Sequence, residues 1–242
     1  MRKPRKFFPP ILLLLLLFPL SAAAAGGSFT CGDFRYTLLE DGSACLTAYT
    51  GDAAEVFIPA ELDGHPLTAV QGNPFCAMRD FSWHLKDCTV TVAADHPYLE
   101  VVDGVLFGRT DHRLIWYPRA LGGEAYAVPE GTEIIGRHAF YACAELTSVT
   151  LPESVTLIEN HAFRACRGLT DIALPAGVTS LGECAFLGCR ALETLTLPPD
   201  LASIGWHCFD TCPLLVLRVA PDSPAEACLS GTGLAYVRTG SD

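Results

Sequence analysis

Four side chains that can bind metals or act as nucleophiles recur every 23 residues, at His138, His161, Cys184 and His207. Imidazole and thiolate are good ligands for zinc or copper. In a stack of equal coils these residues would form a straight row, whereas zinc requires a tetrahedron. The row also contains no Asp or Glu that could orient an imidazole. Metal binding by these four residues is therefore kept as an alternative, and no cofactor is expected.

Nucleophilic catalysis by cysteine needs a thiol of lowered pKa beside a histidine. Cys184 and Cys208 are expected to lie near His161 and His207, but no third residue is present to orient the pair. The chain contains no Gly-x-Ser-x-Gly, His-Glu-x-x-His, phosphate-loop or dinucleotide-binding motif. The sequence therefore predicts a protein that is not an enzyme and has no catalytic residues.

The spacing of 23 residues belongs to a repeat whose copies begin at Ile135, Ile158, Leu181 and Ile204. Each copy has an aromatic residue at offset five, a cysteine at offset eight and a leucine at offset eleven. A fixed period of this size predicts a solenoid, in which each unit buries its apolar edge by stacking on its neighbours. The expected structural core is Phe140, Cys143, Leu146, Phe163, Cys166, Leu169, Phe186, Cys189, Leu192, Phe209 and Cys212.

Within one copy, apolar residues alternate with polar residues from Leu146 to Leu151, which predicts a short half-buried strand ended by Pro152. The small-aromatic pair of each copy, Ala139-Phe140 in the first, predicts a short helical or 3₁₀ segment at the edge of the solenoid. Because every coil runs in the same direction, the strands should form a parallel sheet. The predicted fold class is an α/β repeat solenoid of leucine-rich repeats with short helical edge segments and an inserted β-hairpin.

The repeat motif, read as Ile135-Gly136, Ala139-Phe140, Cys143, Leu146, Val149 and Leu151-Pro152, closely resembles the BspA-type leucine-rich repeat family of bacterial secreted and surface proteins. The resemblance extends to an opening hairpin around Asp41-Gly42 and an inserted hairpin from His96 to Pro118. It implies a non-catalytic protein that adheres to host or neighbouring-cell proteins. Glu159 departs from the pattern, since the family has Gly after the first aliphatic residue.

Five segments are expected along the chain. They are a signal peptide (1–25), an N-terminal hairpin and first coil (26–70), an irregular repeat with the inserted hairpin (71–134), the regular repeats (135–217) and a C-terminal cap (218–242). The cap should contain a helix with Ser223 at its N-cap and Pro224 at its first position.

The first segment has basic residues, a short apolar run and small residues before a cleavage site, which is the pattern of a secretory signal peptide. The apolar run is shorter than the ~20 residues that span a bilayer, so no stable membrane insertion is expected after cleavage. Removing the four basic residues of this segment leaves 12 Lys and Arg against 27 Asp and Glu, a formal charge of −15. Such a surface repels nucleic acid.

The eleven cysteines of an exported chain could form disulfides. The four at offset eight should instead remain reduced, because parallel Cβ vectors fit disulfide geometry poorly. Buried thiols of this kind can face the backbone carbonyls of a turn. The sequence does not show how the remaining seven pair, which are Cys31, Cys45, Cys76, Cys88, Cys184, Cys208 and Cys228.

The remaining candidates are surface residues. Interface hot spots favour Trp, Tyr and Arg, so Trp116 and Tyr117 on the inserted hairpin are predicted to contact a partner, with a role in covering the core as the alternative. The strand face offers a second candidate surface, made of Ser148, Thr150, Asp171, Thr194 and Thr196. The expected function is binding of, or adhesion to, a protein or glycan on host or neighbouring cells, at the cell surface or after secretion. A metal-binding protein and a structural envelope component are the alternatives.

Overall fold

The computed structural model describes residues 27–79, 82–85, 87–230 and 232–240. The expected signal peptide, residues 1–25, lies outside the described residues. Within them, the structure is built almost wholly from short strands and turns. One short 3₁₀ helix, Arg119–Leu121, and one α-helix, α1 at Pro224–Leu229, occur in this part of the chain.

The N-terminal part begins with the predicted hairpin. Strands β2 and β3 pair antiparallel across the turn that contains Asp41 and Gly42, and β1 and β6 extend the sheet on either side. A second pair, β4 and β9, is parallel, and β7 and β8 form an antiparallel ribbon. The bounds are β1 Ser28–Cys31, β2 Phe34–Leu38, β3 Ala44–Tyr49, β4 Glu55–Ile58, β5 Glu61–Leu62, β6 His65–Val70, β7 Cys76–Arg79, β8 Ser82–Leu85 and β9 Thr89–Val92.

The inserted segment is an antiparallel meander of three strands, β10 at Leu99–Val102, β11 at Val105–Gly108 and β12 at Arg113–Trp116. Its last strand, β12, pairs antiparallel with β11 on one side and parallel with the first regular coil on the other, where Leu114 lies opposite Ile135. The meander therefore extends the parallel ladder of the regular coils at its N-terminal end.

The regular coils contribute two strands each, although the sequence indicated only one. One parallel ladder runs through β12, β14, β16, β18 and β20, and a second runs through β13, β15 and β17 and resumes as β19, β21 and β22. The bounds are β13 Ala125–Ala127, β14 Ile134–Ile135, β15 Ser148–Thr150, β16 Leu157–Ile158, β17 Asp171–Ile172, β18 Ser180–Leu181, β19 Thr194–Thr196, β20 Ser203–Ile204, β21 Val216–Val219 and β22 Tyr236–Arg238.

The expected helical edge segments are wrong, because the Ala-Phe stretch of each coil is a series of turns. Each coil places a residue at left-handed φ three positions after its first residue, as at His138 with φ 58° and His161 with φ 60°. A second left-handed residue follows four positions later, as at Ala142 with φ 59° and Ala165 with φ 61°. Two such residues within five positions cannot belong to a right-handed helix, so the α/β description holds only for the strand part of each coil.

The expected aromatic column forms the centre of the solenoid. Ring centroids of Phe140 and Phe163 are 4.9 Å apart, those of Phe163 and Phe186 5.2 Å and those of Phe186 and Phe209 5.8 Å, with interplanar angles of 16° or less. The four rings are buried. Tyr117 continues the column beyond the regular coils, since its ring stacks on Phe140 at 5.2 Å. Stacked coils therefore share one apolar interior.

The C-terminal end has the predicted helix cap. Ser223 is the N-cap of α1 and its hydroxyl accepts a hydrogen bond from the Glu226 backbone N–H, while Pro224 is the first helical residue. The Glu226 carboxylate accepts from the Asp222 N–H at 2.9 Å and from Arg238 Nε at 2.6 Å. Because Arg238 lies on β22, this ion pair ties the last strand to the helix.

Candidate functional site

The second ladder places the predicted polar strip on the outer face of β15, β17 and β19. Val149, Ile172 and Leu195 point into the core, and the residues that alternate with them face outward. Thr150, Asp171, Thr194 and Thr196 are exposed and Ser148 is half-buried. Ser148 lies directly opposite Asp171 in the parallel register. The structure therefore brings these two residues together, and it places Thr194 and Thr196 on the coil that follows.

Threonine hydroxyls fix the backbone at the entrance to the strip. Thr147 Oγ1 donates to the Glu124 carbonyl at 3.0 Å, and Thr170 Oγ1 donates to the Thr147 carbonyl at 3.1 Å. The strip itself offers hydroxyls and one carboxylate, which can exchange hydrogen bonds with a polar ligand. Such groups can recognise a partner surface, and none of them is placed beside a histidine that could act as a base.

The structure does not support a partner contact through Trp116 and Tyr117, because both residues are 3% exposed. Trp116 packs on Phe75 with a centroid distance of 4.2 Å, inside the N-terminal core. Tyr117 points the other way into the solenoid core, and its hydroxyl donates to the Gly122 carbonyl at 2.9 Å. Leu114, Ile115 and Trp116 of β12 are buried, because the strand lies between two cores.

The most exposed aromatic residue among the described residues is Trp206, with 79% of its surface accessible. It lies one residue before the left-handed His207, and the two rings are 5.0 Å apart. Tyr141 on the same edge is half-buried and lies under the Arg164 guanidinium at 5.9 Å. The sequence gives no local sign of this difference, since both aromatics flank a turn.

The row of His138, His161, Cys184 and His207 occupies the left-handed position of each coil. The rings of His138 and His161 are stacked, with centroids 4.7 Å and planes 2° apart. Burial lowers the pKa of His138 to about 3 and that of His161 to about 4, with nearby positive charge from arginines adding to the effect. Stacked rings present faces rather than nitrogens to each other. No group of three or more His, Cys, Asp or Glu arranged to hold a metal occurs among the described residues.

The repeat cysteines form a column of thiols that donate to backbone carbonyls of the preceding coil. Cys166 Sγ lies 3.0 Å from the Phe140 carbonyl oxygen, and Cys189 Sγ lies 3.2 Å from that of Phe163. Cys212 makes the same contact with Phe186 at 3.1 Å. The four column cysteines are not joined by disulfides. Burial raises the pKa of Cys143 to about 12 and also raises the pKa of Cys166. The hydrogen bond with Cys189 instead lowers the pKa of Cys212.

A charged cleft that the sequence did not reveal lies where the meander meets the first coils. It has a volume of about 550 Å³, and Arg113 and Arg137 are among the side chains that line it. Arg113 is paired with Asp111 at 2.7 Å and with Glu159. Burial opposes the charge of Arg113, but the two carboxylates outweigh it and raise its pKa. Glu159, the residue that departs from the repeat pattern, also accepts a hydrogen bond from the Arg137 N–H at 2.9 Å.

Comparison with known proteins gives one family. Residues 124–223 match six copies of the BspA type leucine rich repeat region. No curated protein sequence matches the chain. Within the described part of the chain, no helix has the length and apolar character needed to cross a bilayer.

Two solved structures share the fold. A leucine rich cell surface protein from Faecalibacterium prausnitzii A2-165 is 18% identical, with a TM-score of 0.53 over 91% of this chain and 97% of that one. A leucine-rich repeat protein from Eubacterium ventriosum ATCC 27560 is 20% identical, with a TM-score of 0.53 over 71% of this chain and 49% of that one. The chain thus spans about half of the second protein. With its stacked coils and its family match, the region 124–223 belongs to the BspA-type leucine-rich repeat family, as the repeat motif indicated.

Proposed function

We propose that this chain is a non-catalytic binding protein of the cell surface or the extracellular space, which attaches to a protein or glycan on host or neighbouring cells. The observation that carries the proposal is the polar strip on β15, β17 and β19, exposed on a scaffold whose interior is a continuous column. A rigid solenoid holds such side chains at fixed positions, which lowers the entropy lost on binding.

The location rests on two further observations. The first 25 residues have the pattern of a secretory signal peptide. One protein of the same fold, from Faecalibacterium prausnitzii, is described as a cell surface protein. A fold hosts many functions, so the step from repeat family to adhesion needs its own test.

The test compares two triple variants in a bead-adhesion assay. Beads coated with the protein are offered to cultured epithelial cells, to mucin glycans and to neighbouring bacteria. Thr150→Lys, Thr194→Lys and Thr196→Lys together place three charges on the strip. The control places three charges on exposed residues of the other ladder edge, through Thr156→Lys, Thr179→Lys and Ala202→Lys.

Adhesion that falls at least tenfold in the strip variant and is unchanged in the control supports the proposal. Equal loss in both variants would mean that net charge rather than the strip governs attachment. Absence of adhesion by the unmodified protein to all three surfaces would favour a structural envelope component instead.

A further inference from the structure

The cleft between β6 and the meander has a volume of about 550 Å³. Cavities of a few hundred to about 1,000 Å³ are typical of sites for small ligands and short peptides. The cleft exists because the meander enters between two coils. Asn73 N–H still donates to the Arg137 carbonyl at 3.0 Å, as equivalent residues do in the regular coils. One end of the opening is therefore closed.

One wall of the cleft is the edge of β6. Residues 68–72 line it together with Cys45 on β3, and the pairing of β6 with β3 has a bulge at this point. The cleft therefore extends from the β3–β6 pair across β6 to the meander residues Thr110 and Asp111. Ala69 and Val70 pair with β3 on one side, and no other described strand pairs with them on the opposite side. An unpaired edge of this kind is a template for an added strand.

The opposite wall and the closed end carry the charges. Arg113 is neutralised by Asp111 and Glu159, as described above. Arg137 is exposed, and its guanidinium forms no ion pair with any described residue. Its aliphatic stem covers Gly72, where an added Cβ would lie 3.3 Å from Arg137 Cβ. The cleft therefore ends in one available cation at the carboxyl end of the β6 edge.

We propose that this cleft binds an extended peptide as an added parallel strand on β6, with the free carboxylate at the peptide's C-terminus held by Arg137. The neighbouring ladders, β3 with β6 and β12 with β14, are parallel. A peptide in the same direction would end at Arg137, and an arginine fork fits a carboxylate well. Strand β6 ends at Val70 and Gly72 has φ 67°, so the edge itself pairs with about three residues, and the C-terminal residues of the peptide continue beyond the strand towards Arg137.

This inference rests on the proposed function, since it also makes the chain a binding protein, but the surface differs from the polar strip. The experiment uses an equimolar pool of free-acid pentapeptides rich in Thr and Val and two matched pools. One matched pool is amidated at the C-terminus and the other is N-methylated along the backbone. Binding is followed by amide NMR shifts of the whole chain, with Arg137→Gln as the test variant and exposed Arg190→Gln as the charge-matched control.

The expected result is that the free-acid pool shifts the amides of residues 68–72. Amidation or Arg137→Gln should weaken binding at least tenfold, N-methylation should abolish it, and Arg190→Gln should leave it unchanged. Equal binding of the N-methylated pool would overturn the added strand, and equal binding by Arg137→Gln would overturn the carboxylate contact. No shifts at 68–72 would overturn the whole inference, while bead adhesion through the strip would still report separately on the proposed function.

Discussion

Removing a ring from the middle of the aromatic column should cost more free energy of unfolding than removing one from its end. Phe163 is fully buried and stacks on two rings, at 4.9 and 5.2 Å. Phe209 is also buried but stacks on one ring, at 5.8 Å. Substitution of a core Phe by Ala costs about 3–5 kcal/mol. Each aromatic pair adds about 0.5–1.5 kcal/mol beyond the buried area.

Phe163→Ala should therefore lie near 5 kcal/mol, about 1–2 kcal/mol above Phe209→Ala. The difference in unfolding free energy between the two variants should exceed the energy of one stacked ring pair. Coils on both sides of Phe163 lose a packing surface, whereas Phe209 has a regular coil on one side only. Repeat arrays gain stability from nearest-neighbour contacts, so a central defect weakens two interfaces.

Urea unfolding followed by circular dichroism measures both variants, with Leu187→Ala as a control on the same turn segment. Leu187 is half-buried and outside the column, so its loss should cost about 1 kcal/mol. Equal costs for the two phenylalanine variants, or a cost below about 1 kcal/mol for Phe163→Ala, would refute a shared interior column. A lowered m-value in Phe163→Ala would indicate that the array unfolds in two parts.

Three further predictions test other parts of the structure. Cys166 is buried and donates to a carbonyl, so a thiol reagent should modify it only after unfolding, and mass spectrometry showing modification of the folded protein would contradict this. The pKa values of His138 and His161 are lowered to about 3 and 4, so the unfolded chain binds protons more tightly below pH 6.5. The free energy of unfolding should be highest above pH 6.5 and should fall as the pH drops towards 4. Urea titration at each pH measures this curve, and His138→Asn should make it flatter. Ser223→Ala removes the cap of α1 and should cost about 1 kcal/mol, whereas an unchanged thermal midpoint would contradict a stabilising role of this cap.

The repeat could be predicted because it places large, well-defined side chains at fixed offsets. Phe140 and Cys143 recur in every copy, and their types alone indicate a stacked interior. The cap was equally readable, since Ser223 followed by Pro224 has a local physical meaning. The repeat core depends on exact repetition and the helix cap depends on adjacent residues in the sequence. The structure has both where they were expected.

The turns at the edge could not be predicted for a related reason. In a sequence, glycine and asparagine are the usual indicators of a left-handed φ. Here residues such as His138 and Ala142 adopt this φ. Cross-coil backbone hydrogen bonds hold these positions, as where His138 N–H donates to the Asn160 carbonyl at 3.2 Å. Strands of two residues, such as β14, are likewise too short to show a period of two.

The burial of Trp116 follows from the position of β12 between two cores. The run Leu114–Tyr117 is uninterrupted and apolar, which is typical of a strand buried on both faces. A hairpin exposed to solvent would alternate instead. That run was the available indication, and it outweighs the general tendency of loops to carry binding residues.

The exposed strip is divided, and this affects how it can bind. The first ladder is continuous through β14, β16, β18 and β20, whereas the second is interrupted between β17 and β19. Thr194 pairs with Val216 on the following strand rather than with Asp171 on the preceding one. A partner that hydrogen-bonds to the side chains of the strip, rather than to its backbone, can span this interruption. The interior column keeps the two parts of the second ladder in one register. The column that stabilises the coils is thus also what would allow two separate polar patches to act on one ligand.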